Sequence, residues 1–167
     1  MIAGSFASAY HGVPRATHDI DIVVDPSPAA LEALLADLPA ADYYVDHEAA
    51  RDALRRASQF NIIDTATGWK VDLVIRKPRP FSHEEFSRRE PAELLGTAVF
   101  VSTAEDSILA KLEWAKLGDS ERQLRDVEGI LAIRGESLDL EYVERWVAAL
   151  DLSEKWSSVR QVPPRDT

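Results

Sequence analysis

The chain is predicted to be a mixed α/β protein of the α+β kind: a mixed sheet with flanking helices, followed by a helical C-terminal part. Three observations predict this. His18–Val24 alternates acidic and β-branched residues, the period-two pattern of a strand. Two further strand-like runs, near Gln59–Asp64 and Trp69–Ile75, are joined by Ala66-Thr67-Gly68, a link that suits a hairpin. After Ser102 the apolar spacing becomes helical throughout. The expected division is 1–101 for the α/β core, 102–160 for the helical subdomain and 161–167 for a disordered tail containing Pro163-Pro164.

The elements follow in order. Met1–Ala3 reads as the end of a short strand, Gly4-Ser5 as a turn and Phe6–Tyr10 as a short helix. His11–Thr17, with Gly12 and Pro14, reads as a loop into the acidic strand. Pro26 and Pro28 open a helix carrying Leu31, Leu34, Leu35 and Leu38 at helical spacing. A second helix is expected over Glu48–Ala57. Pro78-Arg79-Pro80 interrupts the sheet, and Ser82 with Glu85 resembles a capping box for a short helix. A last strand is expected near Thr97–Val101.

In the helical part, Ser102 with Glu105, or Thr103 with Asp106, would cap the first helix. Ser120 with Gln123 would cap the second, which carries Leu124, Val127, Ile130 and Leu131 on one face. Tyr142, Val143, Trp146, Val147 and Leu150 mark a third. The short first strand would leave an open sheet edge, which invites pairing, so a partner protein or a second copy of the chain is one way to cover it.

Composition narrows the function. The 167 residues carry a formal net charge of -10. Nonspecific nucleic-acid binding is not expected of such a chain, because neutralising phosphates needs clustered Lys and Arg. There are no cysteines, which excludes disulfides, thiolate metal sites and cysteine nucleophiles. No apolar run approaches the ~20 residues of a membrane helix, and no signal peptide is recognisable. A cytoplasmic location with no membrane partner is therefore expected.

The chemistry centres on Asp19-Ile20-Asp21. Residues two apart in a strand share a face, so both carboxylates project together while Ile20 and Ile22 project oppositely. Neighbouring anions repel unless a cation lies between them. Magnesium takes oxygen ligands and keeps substrate phosphates in its shell. The plainer alternative is the solvated face of an edge strand. Asp72 strengthens the metal reading: it interrupts the apolar run Val71-Asp72-Leu73-Val74-Ile75, and a buried carboxylate needs a partner or a metal. Its alternative is an exposed face with Lys70 as neighbour. Asp64 competes for the role but adjoins the hairpin turn, where water solvates it.

Gly4-Ser5 offers backbone N–H groups to a phosphate at a strand-to-helix turn, or is simply a helix cap. Arg15 suits bidentate phosphate contact, and Thr17 adds a hydroxyl. A surface pair with Asp25 or Glu32 is the alternative for Arg15. His11 and His18 read as hydrogen-bonding residues and not as metal ligands.

Gly4-Ser5 followed by His11-Gly12-Val13-Pro14-Arg15-Ala16-Thr17-His18-Asp19-Ile20-Asp21 resembles the signature of the nucleotidyltransferase superfamily. It is most similar to the AbiEii-type and minimal nucleotidyltransferases of toxin–antitoxin systems. Asp72 matches that family's third carboxylate. Glu105-Asp106 through Lys111, then Arg125-Asp126, is similar to its helical Lys and Arg-Asp motifs. Members carry a fuller first strand before the Gly-Ser turn, where this chain has three residues.

The resemblance implies transfer of a nucleoside monophosphate from an NTP to an acceptor: tRNA, a protein hydroxyl or a small molecule. Asp19, Asp21 and Asp72 would hold two Mg2+ ions, with Mn2+ as substitute. Asp72 would also accept the acceptor's proton. Gly4, Ser5, Arg15 and Thr17 would bind the nucleotide. Lys111 would reach a phosphate and Asp126 would orient it, unless both are ordinary helix-surface residues. A non-catalytic binding member, such as a toxin–antitoxin component, and a phosphohydrolase using water are the alternatives.

Overall fold

The computed structural model describes residues 1–118 and 120–160; the expected tail at Pro163-Pro164 lies outside them. The chain divides into two compact units. One comprises Met1–Ala3 and Ala16–Val101, the other Gly4–Arg15 and the chain from Ser102 on.

The first unit is built on a four-stranded mixed sheet in the order β1-β4-β3-β2. Its strands are β1 (Asp19–Val24), β2 (Tyr43–Val45), β3 (Gln59–Asp64) and β4 (Lys70–Ile75). β1 and β4 are parallel, with Asp19 opposite Lys70, Asp21 opposite Asp72 and Ile22 opposite Leu73. β3 pairs antiparallel with both β4 and β2. The β3–β4 hairpin is closed by Asp64, whose carboxylate accepts from the Ala66 and Thr67 amides at 3.0 and 2.8 Å. Those bonds, led by the Thr67 amide, hold the Asp64 carboxyl below the ordinary range. Asp64 is thus a turn residue.

The registers give the sheet two chemically distinct faces. One carries Ile22, Val24, Val71, Leu73, Ile75, Phe60 and Ile62, which form a core with Leu31 and Leu35 of α2 (Pro28–Asp37) and Ala50 and Ala53 of α3 (His47–Arg56). Burying that stripe stabilises the unit by roughly 1.5–3 kcal/mol for each large apolar side chain. Ser27 caps α2 and Asp46 caps α3 through the amides three residues on. The other face carries Asp19, Asp21, Lys70, Asp72 and Asn61.

α4 (Pro80–Arg88) follows, then the hairpin β5 (Glu90–Leu94) and β6 (Thr97–Val101). Ser82 does not cap α4: the helix begins two residues earlier at Pro80, and Ser82 lies buried within it, accepting from Arg79 Nε at 3.0 Å. Residues 1–3 form no regular strand. Ile2 makes isolated bridges to Ile22 and Val101, and the Ala3 amide donates to the Asp21 carbonyl at 2.9 Å.

The second unit is helical: α1 (Gly4–His11), α5 (Ala104–Gly118), α6 (Glu121–Arg134), α7 (Leu140–Ala149) and α8 (Ser153–Arg160). The segment from Gly4 to Arg15 thus clusters with the helical part and not with the α/β core. The reason is burial: Ala7 and His11 of α1 are buried, and His11 Nε2 hydrogen-bonds the Ser102 carbonyl at 2.7 Å. Gly12 also passes so close to α6 that a Cβ there would lie 2.8 Å from the Ile130 nitrogen.

Of the two caps offered for α5, Thr103 with Asp106 is the one formed. The Asp106 amide donates to Thr103 Oγ1 at 3.1 Å, and Thr103 Oγ1 donates to the Asp106 carboxylate at 2.7 Å. Asp106 is fully buried and also accepts from the Tyr142 hydroxyl, tying α5 to α7. Ser120 is the N-cap of α6 but makes no side-chain cap bond. Val127 and Ile130 of α6 are fully buried, as the helical spacing requires.

Candidate functional site

In the first unit, Asp19, Asp21 and Asp72 project from one face of two adjacent parallel strands. Alternation puts Asp19 and Asp21 on the same side of β1, and the register places Asp72 directly beside Asp21. Neighbouring strands lie ~4.8 Å apart, so the backbone positions of the three aspartates mark three corners of a small quadrilateral. Lys70, opposite Asp19 and two residues before Asp72, occupies the fourth.

Each outer carboxylate has a specific partner. Thr17 Oγ1 donates to Asp19 Oδ1, so Thr17 positions a carboxylate just ahead of the strand. Lys70 Nζ lies 2.7 Å from Asp72 Oδ2, with side chains 38% and 8% exposed. The hydrogen bond to Asp72 holds Lys70 above the ordinary lysine range against the opposing effect of burial, and Asp19 and Asp21 add to it through their charge. Asp72 is therefore neither exposed nor solitary, but buried in an ion pair.

Three carboxylates supply the hard oxygen donors that magnesium takes, and in this respect the donor set fits the ion. Among the described residues, however, no three Asp, Glu or His side chains are gathered as a metal-ligand group. The strands set the three residues side by side, and Thr17 and Lys70 bond the carboxylates of Asp19 and Asp72. Asn61 of β3 stands opposite Asp72 and is exposed on the same face. Sequence reasoning passed over Asn61 and treated Lys70 only as a neighbour. The signal was present in the period-two spacing of Lys70 and Asp72. An apolar pocket lined by Val24, Leu31, Leu34, Phe60 and Leu73 opens on the core side of the sheet.

In the second unit, Arg15, Lys111 and Asp126 form a compact group. Arg15 grips Asp126 bidentately, Nε to Oδ1 at 2.9 Å and Nη2 to Oδ2 at 3.1 Å. In the first unit, Asp25 bonds Arg76 at 2.6 Å and Glu32 bonds Arg51 at 2.7 Å. Arg15 Nη2 also donates to Ser5 Oγ at the start of α1. Lys111 Nζ donates to Asp126 Oδ2 at 2.8 Å, with only 6% of the Lys111 side chain exposed. An ordinary helix-surface reading of Lys111 and Asp126 does not survive that burial.

Burial pushes the Asp126 carboxyl up, but the bonds from Arg15 and Lys111 outweigh it and hold the group below its ordinary range. Gly4, with φ of 58°, adopts the left-handed conformation that glycine tolerates and opens α1 there, one residue before Ser5. His18 makes a tilted ring contact with Trp69, centroids 6.2 Å apart.

Comparison with solved structures identifies the fold. The chain is similar to the antibiotic-resistance factor ANT(2'')-Ia, known from a solution structure with substrate-regulated conformational dynamics. The TM-score is 0.50 at 16% identity, over 95% of this chain and 84% of that one. It is also similar to an antigenic nucleotidyltransferase-like protein from Paracoccidioides brasiliensis, with a TM-score of 0.52 at 17% identity, over 92% of this chain and 82% of that one. The fold is nucleotidyltransferase-like. No protein-family model and no curated protein sequence matches the chain. No helix among the described residues is long and apolar enough to cross a membrane.

Proposed function

We propose that this protein is a magnesium-dependent nucleotidyltransferase that moves a nucleoside monophosphate from an NTP to an acceptor hydroxyl. The observation that carries the reading is the in-register pair Asp21 and Asp72 on adjacent parallel strands, with Asp19 two residues away on the same face. Asp19, Asp21 and Asp72 would hold the metal. When bound, divalent cations stabilise the attacking and leaving oxygens of an in-line displacement.

The remaining roles belong to protein groups. Thr17 fixes the Asp19 carboxylate. Asp72 is the candidate acceptor of the hydroxyl's proton. In the second unit, Arg15 and Lys111 are the candidate phosphate ligands, held by Asp126, and Ser5 fixes the Arg15 guanidinium. In the reaction the acceptor oxygen bonds to the α-phosphorus, the bond to the β-phosphate bridging oxygen breaks, and pyrophosphate leaves. The sequence resemblance supports, more narrowly, an AbiEii-type toxin–antitoxin protein acting in the cytoplasm on RNA, protein or a small molecule.

A second reading is favoured by the Lys70–Asp72 ion pair and the Thr17–Asp19 bond: a carboxylate face satisfied from within, in a protein that binds nucleotide or a partner without catalysis. Incubation with each α-labelled NTP, Mg2+ and a cell extract separates the two. Label transferred to an acceptor with release of pyrophosphate supports transfer. Binding of NTP without either product supports the second reading.

A further inference from the structure

Lys70 stands opposite Asp19, shares a strand face with Asp72 and bonds the Asp72 carboxylate at 2.7 Å. Asp72 is only 5% exposed and shares its face with two more carboxylates, a setting in which a neighbouring cation stabilises a carboxylate. A lysine supplies that cation as a compact ammonium on a flexible four-carbon stem. At 38% side-chain exposure the stem has solvent on one side into which the ammonium can move. A divalent cation brought to Asp72 competes with this ammonium for the carboxylate and is repelled by its charge, which weakens the binding of the divalent ion.

We propose that Lys70 is the resident counter-ion of the carboxylate group. It holds Asp72 in the metal-free protein, yields it to a divalent cation, and so sets the affinity for that cation. This rests on the metal-dependent reading above. It adds that the site is closed by an internal cation, and that metal binding displaces the lysine from its partner. The pairing also explains why the side chains are not gathered around a common point although the strands place them together.

The test is titration of the protein with Mn2+ alone, without nucleotide, following free Mn2+ by electron paramagnetic resonance. Lys70→Met removes the ammonium and keeps the stem, Lys70→Gln is the polar counterpart should the methionine variant misfold, and Lys70→Arg keeps the charge. Lys70→Met and Lys70→Gln are expected to bind Mn2+ about tenfold more tightly than the natural protein, toward the water-screened end of the range for one charge–charge contact, as suits a partly exposed lysine. Lys70→Arg should stay within about threefold of it. Asp21→Asn, alone and combined with Lys70→Met, should lose the binding.

Equal or weaker Mn2+ affinity in both neutral variants, with binding still lost in Asp21→Asn, would overturn the counter-ion role and leave the metal reading standing. Binding that ignores Asp21→Asn, or no binding in any variant, would overturn both.

Discussion

Asp21 and Asp72 face each other in register across the parallel pair β1–β4, although 50 residues of chain separate them. If the pair serves chemistry, Asp72→Asn should leave the fold intact. The amide keeps the shape of the carboxylate, and the half-exposed Lys70 regains water. The change in unfolding free energy should stay within about 1 kcal/mol, the scale of partly exposed ion pairs. Transfer activity should fall by at least about 100-fold, the loss typical when one electrostatic contribution to a transition state is removed. Urea unfolding and a labelled-NTP assay check the two halves. A variant that unfolds would make Asp72 structural.

Gly12 crosses α6 with no room for a side chain. Its added Cβ would meet backbone, 2.8 Å from the Ile130 nitrogen and 2.9 Å from the Gly129 carbonyl carbon. Gly12→Ala should destabilise the protein by about 1–3 kcal/mol, the range for forced overpacking. A Cβ at Gly129 has its nearest atoms in Val13, at 3.4–3.5 Å, and Gly129→Ala replaces a helical glycine, a change that favours the helix by up to about 1 kcal/mol. Its effect should be near neutral. Thermal unfolding of the two variants side by side reads the contrast, and equal effects would refute the close approach.

The buried Asp106 accepts from the Tyr142 hydroxyl. Tyr142→Phe removes one donor to a buried carboxylate, so stability should fall by about 1–3 kcal/mol. Transfer activity should be preserved. Denaturant melts measure the first and the labelled-NTP assay the second. An undiminished melting point would show that the hydroxyl contributes nothing there.

Asp126 gives the pH dependence. Its folded-state carboxyl is held below the ordinary value by Arg15 and Lys111 in spite of burial. A depressed folded value means stability that is fully present above the unfolded carboxyl range. That stability is lost as pH falls through the folded value. Asp126→Asn should therefore be less stable at neutral pH, by about 3 kcal/mol. That is the lower end for a broken buried pair, since Arg15 is 25% exposed. The gap to the natural protein should close on acidification from about pH 4 downward. Urea melts from pH 7 to 3 test this, and a gap constant with pH would assign the loss to packing alone.

Much of this was legible in the sequence, for identifiable reasons. The alternation in His18–Val24 located β1 and the shared face of Asp19 and Asp21, because a strand's period of two admits no other arrangement. The Ala66-Thr67-Gly68 link located the β3–β4 hairpin. β2 and β5 were not foreseen. Tyr43–Val45 has three residues, too few for a period to show, and β5 contains Pro91, a residue that argues against a strand except at an edge. The association of α1 with the helical part was hidden as well, because it depends on His11 and Gly12 meeting residues about 90 and 117 positions later. Arg15 and Asp126 were each singled out, but only the folded backbone reveals that they grip one another. The ion pair of Lys70 with Asp72 stood at strand spacing, yet its partner was open to choice until the register across β1 was known.

The central claim is that Asp19, Asp21 and Asp72 hold a divalent cation for an NTP, and calorimetric melting of the natural protein beside Asp21→Asn tests it most directly. A ligand of the native state raises the melting temperature by mass action, adding about 2.7 kcal/mol at a hundredfold excess over its dissociation constant. Mg2+ with an NTP should raise the melting temperature of the natural protein by several degrees, with Mg2+ or NTP alone giving less, and should leave that of Asp21→Asn unmoved. An equal rise in Asp21→Asn, or no rise in the natural protein with any of the four NTPs, would contradict the account.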